Sequence, residues 1–392
     1  MNTVIPVMLL VFFISGLVVT AVSPVFASEA IADSWSTKTP MTQARTGLGV
    51  VAVDGKIYAI GGLADLNFKP GCIVGTNECY NPGTDTWVTL EPMPTPRVGF
   101  AIATCEGKIY CIGGSTFEQA PPFRSSGINE VYDVATNSWS VKSSMPVEGA
   151  TFAGVVNDKF FVMADYDLFM YDPVADVWTQ KTSMPKKTSL SISSYDLPHS
   201  VSVAVDDKII VTGYFPGIHN EPKTRIYDTK TDTWSEGRAP VKPAKFNDNC
   251  TGVTSGVYAP QSVYALSGTS GGVTERSNQV YDPVGDIWTF AKDMPTYRNQ
   301  FGVAVVDDIL YVIGGHYGDD VVVSVNEQYV PLGYNGASLS VTSPPVVTEP
   351  FSLGSLCIIV VTLTMIVVGI GTGLIFYSKK SQKQYFIKQE QL

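Results

Sequence analysis

Three arginines and three glutamates recur in register along this 392-residue chain and carry most of its candidate chemistry. Arg45, Arg97 and Arg298 each stand ten residues before a hairpin-turn glycine or its equivalent. A guanidinium presents a rigid fork of donors suited to carboxylates and sulfate, so three brought together would form an anion-binding mouth. Set against this, a recurring arginine can instead satisfy the carbonyls of its own loop, because repeat positions often serve the repeated frame. Glu78, Glu130 and Glu327, each preceded by Asn, recur in the same way. Paired carboxylates can exchange protons, but one position repeated before one kind of strand points first to the holding of backbone amides. His199, His219 and His316 are scattered over loops, and no nucleophile elbow, phosphate loop or zinc spacing accompanies them. The sequence therefore predicts no metal and no cofactor.

The elements that must position these residues announce themselves through tryptophan. Trp35, Trp87, Trp139, Trp178, Trp234 and Trp288 are separated by 52, 52, 39, 56 and 54 residues. Five are preceded by a tyrosine and a polar turn, as in CYNPGTDTW and VYDPVGDIW. Upstream lies an apolar hairpin, clearest as VVAVDGKIYAIGG, where Asp-Gly between two β-branched runs marks a tight turn. A unit of four short strands cannot bury both faces alone, so a period near 50 residues reads as the blade of a propeller. The first strand is crowded at the axis and takes Gly, Ala and Val. The outer strands diverge and need Tyr and Trp, which makes these aromatics packing residues.

The double glycine followed by spaced Tyr and Trp resembles the signature of the kelch-repeat family, over about residues 35–330. Matches are full at Gly61-Gly62, Gly113-Gly114 and Gly314-Gly315; Ala164-Asp165, Gly213 and Ser267-Gly268 stand in the same place elsewhere. The resemblance implies an all-β, six-bladed kelch-type β-propeller. Its last hairpin, Val303 to Gly315, is followed by a third strand at Asn326–Tyr329 without a tryptophan strand, and Trp35 has no hairpin before it. The N-terminal strand around Trp35 should therefore complete the last blade and remove two open edges. The loops after the double glycines (63–77, 115–128, 214–223, 269–277 and 316–325) should share one rim, with a low side at Asp165 to Leu168.

Both termini suggest a membrane address. Val4 to Val22 is uncharged and Val25-Phe26-Ala27 fits a cleavage site, so residues 1–27 read as a signal peptide and 28–330 as the propeller. Residues 331–352 read as a Pro/Ser/Thr-rich stalk. The uncharged run 353–377 is long enough for a transmembrane helix, and the lysines in 378–392 mark a cytoplasmic tail. Gly369 and Gly373 allow close helix packing and a weak membrane dimer. The whole chain carries a net charge of −10, and most basic residues of the tail lie past the span, so the propeller is more acidic still. Nucleic acid is not an expected partner. Cys72, Cys79, Cys105, Cys111 and Cys250 are odd in number; Cys72 with Cys79 and Cys79 with Cys111 are both feasible pairings. Asn249-Cys250-Thr251 fits a glycosylation acceptor.

These observations point to a single-pass cell-membrane protein whose propeller recognises an extracellular protein or glycan, with an anionic ligand anchored by Arg45, Arg97 and Arg298. Two alternatives stand beside this reading, the first of them implied by the family resemblance. One is a carbohydrate-acting enzyme of the mutarotase or oxidase kind, and the other a scaffold for membrane complexes.

Overall fold

Short β-branched runs separated by Asp-Gly or paired acidic turns can bury two faces only by stacking beside copies of themselves, and the chain does this six times. The computed structural model describes residues 33–67, 69–116, 124–185, 199–214, 222–242, 250–267, 269–270, 273–318 and 321–336. Among them are six four-stranded antiparallel sheets, here blades 1 to 6 in chain order. Blade 1 comprises Gly49–Val53, Lys56–Ile60, Asn77–Asn81 and Thr86–Leu90, in that spatial order from the axis outward. Blade 3 runs from Ala150–Val156 to Val177–Gln180 and blade 5 from Thr251–Val253 to Ile287–Ala291.

Closure follows the expected scheme. Blade 6 takes Gly302–Val306, Ile309–Ile313 and Asn326–Val330 from the end of the chain and Ser34–Lys38 from its beginning. Trp35 lies opposite Tyr329 in that sheet, as Trp87 lies opposite Tyr80 in blade 1. The apolar core sits between blades rather than within one. Val53, Tyr58 and Ile60 of blade 1 pack with Phe100, Ile109 and Cys111 of blade 2, while Leu48 and Val50 pack with Ile309 and Ile313 of blade 6.

One boundary differs from the sequence reading. The stalk does not begin at residue 331, because Pro331–Gly336 folds back onto the base of the ring. Tyr334 is buried among Ala259 and Ile309, and the Asn335 amide donates to the Tyr258 carbonyl at 2.7 Å. The physical reason is a loop peculiar to blade 5, Thr254 to Ser262, which replaces the tight turn of the other blades and offers this segment an apolar surface. The expected signal peptide, the remainder of the stalk, the transmembrane helix, Gly369 and Gly373, the tail, His219 and Asn249 lie outside the described residues. Among the described residues no helix is long and apolar enough to cross a membrane.

Candidate functional site

Arg45, Arg97 and Arg298 precede the inner strands of blades 1, 2 and 6, as the register implied, but they do not reach the channel mouth. Each side chain turns into its own blade and has no exposed surface. The Arg45 guanidinium meets the Glu78 carboxylate at 2.6 Å, Arg97 meets Glu130 at 2.9 Å and Arg298 meets Glu327 at 2.6 Å, each pair buried on both sides. The remaining donors close the end of the strand ladder. Arg45 Nη1 donates to the carbonyls of Gly61 and Thr76 at 2.8 and 3.1 Å, where the double glycine diverges from the sheet. Burial pulls the guanidinium groups of Arg45 and Arg298 below their ordinary value, and the partner glutamates oppose that. The assignment of these arginines as ligand anchors is thereby corrected: their guanidinium groups are enclosed in the blade and bond chiefly to its carbonyls and carboxylates.

The glutamates complete the joint. Glu78 accepts from the amide and hydroxyl of Thr42, and Glu130 from the Thr95 hydroxyl at 2.7 Å, so each carboxylate holds the connector that carries its own arginine. The arginine's backbone reaches the other way. The Gly62 amide of blade 1 donates to the Arg97 carbonyl at 2.8 Å, and Gly315 of blade 6 to the Arg45 carbonyl at 2.9 Å. A Cβ on Gly61 would lie 2.8 Å from the Arg97 carbonyl oxygen, which is why glycine recurs here at positive φ. Where blade 5 lacks the pair, the Ser267 hydroxyl donates to the Arg298 carbonyl at 2.8 Å and preserves the joint. In the same blade Gln279 replaces the glutamate and bonds both backbone groups of Lys242.

A second recurring device escaped the sequence reading. Two residues before each tryptophan stands Asp33, Asp85, Asn137, Asp176, Asp232 or Asp286, all at positive φ between 51° and 58°. Each accepts a tyrosine hydroxyl of its own blade and a backbone amide from the preceding connector. Asp85 takes Tyr80 at 2.6 Å and the Thr39 amide at 2.9 Å, while the Trp87 indole donates to the Thr39 carbonyl at 2.8 Å. Lys292 is gripped likewise by Asp33 and Trp35 at 2.7 and 2.9 Å, which fastens the N-terminal strand across the last junction. Only Asp and Asn combine ease in the left-handed region with a short acceptor side chain. The spacing D/N-x-W was the available signal, and it includes Asp33-Ser34-Trp35.

What remains accessible is divided between two unlike rims and a channel. The channel is a cavity of ≈ 350 Å³ on the axis, lined by inner-strand residues such as Val51, Ala103, Val155, Ser202, Thr251 and Val305. Its described lining offers small apolar groups and hydroxyls and no ionisable side chain. On the rim after the double glycines, the loops of blades 2, 5 and 6 form two-stranded ribbons: Ser115–Thr116 with Arg124–Ser125, Thr269–Ser270 with Val273–Thr274, and His316–Tyr317 with Val321–Val322. Blade 3 has only the turn at Asp165 and Tyr166 there, giving the expected low side. His316 serves this rim structurally, its Nδ1 lying 2.9 Å from the Thr46 hydroxyl of the next connector. His199 opens the inner strand of blade 4 at the same rim. Among the described residues no three His, Cys, Asp or Glu side chains converge as a metal site requires. Cys72, Cys79, Cys105, Cys111 and Cys250 are buried and joined in no disulfide, with Cys79 and Cys111 sharing one apolar cluster.

Fold and joints together define a six-bladed β-propeller closed by its N-terminal strand. A sequence model of the Kelch motif matches residues 44–94, 96–146 and 297–333, covering blades 1, 2 and most of 6, the blades with the complete arginine joint. Over these three segments the chain is similar to kelch-repeat proteins. It is 26% identical over 282 residues to Kelch-like protein terF of Aspergillus terreus, covering 67% of this chain and 59% of that one. It is 27% identical over 224 residues to Beta-scruin of Limulus polyphemus, covering 54% and 24%. Over a shorter stretch of 76 residues it is 46% identical to the human Influenza virus NS1A-binding protein, covering 19% and 11%. The chain thus spans less than two thirds of these curated relatives. Among solved structures, that of YjhT superposes with a TM-score of 0.59 over 74% of this chain and 96% of that one, at 14% identity, which speaks for the fold alone.

Proposed function

We propose that this protein is a cell-surface binding module that takes a protein partner on its ribbon-bearing rim. The observation that carries this reading is the contrast between the ends of the ring. One end projects ribbons from a rigid frame, with a low side at blade 3; the described lining of the channel between offers no ionisable group. Binding residues commonly ride on such loops because the scaffold holds them at little entropic cost. One relative is named for a protein that it binds. The exit of the chain supports outward display. Both Asp33 and Pro331 lie at the rim opposite the ribbons, so a tether following residue 336 would leave the ribbons facing away from the membrane. A carbohydrate-acting reading needed the three arginines beside Glu or His at the channel mouth, and those guanidinium groups are enclosed within the blades.

The test exchanges the ribbons of blades 2, 5 and 6, one at a time, for the short turn of blade 3. Surface biotinylation and partner capture from intact cells are then compared with the parent. Loss of capture with unchanged surface level and unchanged thermal unfolding supports the reading. Capture surviving all three exchanges removes it, and retention of a glycan instead of a protein would favour the sugar-binding alternative.

A further inference from the structure

The base of the propeller carries a built apolar knuckle on blade 5. Five of the six inner hairpins turn tightly at this end, through Asp54-Gly55, Glu106-Gly107, Asn157-Asp158, Asp206-Asp207 and Asp307-Asp308. Blade 5 instead has the loop Thr254 to Ser262, and that loop is held firmly. The Asp308 carboxylate, 3% exposed, accepts the amides of Ser255, Tyr258 and Ala259 at 2.5, 2.7 and 3.0 Å. The Thr254 hydroxyl donates to the Pro260 carbonyl at 2.6 Å, and the Asn335 amide takes the Tyr258 carbonyl from outside. A buried carboxylate and an extended loop are thus committed to presenting side chains that point away from the ring. Val257 is 67% exposed, Tyr258 39% and, from the exit segment beside it, Leu332 69%. The outer turn of the same blade adds Val284 at 89% on the same rim.

We propose that this knuckle rests in the interfacial layer of the bilayer to which the chain is tethered. The proposal rests on the membrane-anchored reading above. Its occupant follows from where the chain goes. The exit segment packs on the knuckle itself, and 16 residues separate Gly336 from Leu353, where the uncharged run begins. A link of that length reaches at most about 50–60 Å when extended and far less when relaxed, which is short enough to let the base touch the headgroups. Aliphatic side chains beside a tyrosine match the chemistry of that layer, where an amphipathic ring keeps its hydroxyl wet and its body among acyl carbons. The exposed acidic turns Asp54, Glu106, Asp206 and Asp307 share this rim, so a zwitterionic surface suits it and an anionic one opposes it.

The full chain is reconstituted into phosphatidylcholine vesicles containing brominated acyl chains. A fluorescent noncanonical side chain is placed at Val257 in one protein and at Val321, on the opposite rim, in another. Bromine should quench the probe at 257 about twofold or more above that at 321, since quenching requires contact with the acyl region. Leu332→Asp should reduce the quenching at 257 with unchanged thermal unfolding, and replacing half the lipid with phosphatidylserine should reduce it as well. Equal quenching at the two positions, in protein that stays with the vesicles through an alkaline wash, overturns the knuckle and leaves the anchor standing. Protein that washes off overturns the anchor and the knuckle with it.

Discussion

A buried guanidinium has a structural task or none, because its charge must be met where it lies. Arg45, Arg97 and Arg298 meet glutamates inside their own blades and hand their carbonyls to the preceding blade. Arg45→Ala should lower stability by about 3–5 kcal/mol by stranding Glu78, whereas Arg45→Met with Glu78→Leu should cost distinctly less; urea denaturation of the two proteins checks this. The D/N-x-W clamp makes a pH prediction. Asp85 and Asp176 are held below the usual carboxylate range and Asp232 at about 2; for Asp85 and Asp232 desolvation opposes the shift, and tyrosine hydroxyls and connector amides outweigh it. A depressed folded value stabilises the fold above the unfolded value near 4, and that contribution is lost as pH falls toward about 2. Asp232→Asn keeps an acceptor oxygen but loses the charge and the ion pair with Lys181, so it should lower the unfolding midpoint at pH 7 and flatten its fall between about pH 4 and about pH 2. Asn137 already occupies that position in blade 2 and shows that the neutral amide fits.

At the scale of the element, ring closure depends on one strand of five residues, Ser34–Lys38. Its loss would bare the edge of Asn326–Val330 and unclamp Lys292 together. Asp33→Ala with Trp35→Ala should therefore lower the melting temperature and promote association through the bare edge, read by thermal scanning and size-exclusion chromatography. This closure was legible because a missing hairpin at one end matched a missing tryptophan strand at the other. The direction of the arginines was not. Spacing places an arginine at a strand's beginning but says nothing about which way a long side chain turns, and burial against Glu78 depends on a residue 33 positions away. Likewise the blade 5 loop lacks the turn dipeptide of its siblings, yet nothing local reveals that Asp308 would gather it or that Tyr334 would pack there.

For the whole molecule, the proposed function assigns recognition to one end of the ring and tethering to the other. The ribbons of blades 2, 5 and 6 face one way and the chain leaves the other way. A single measurement bears on this most directly: photocrosslinking on intact cells, with the reactive side chain placed at Val321 on the ribbon rim or at Val174 on the turn rim. Recognition at the ribbons gives a discrete protein adduct from Val321 and none from Val174. Adducts from Val174 alone, or adducts from neither position while the partner is still captured, would contradict it.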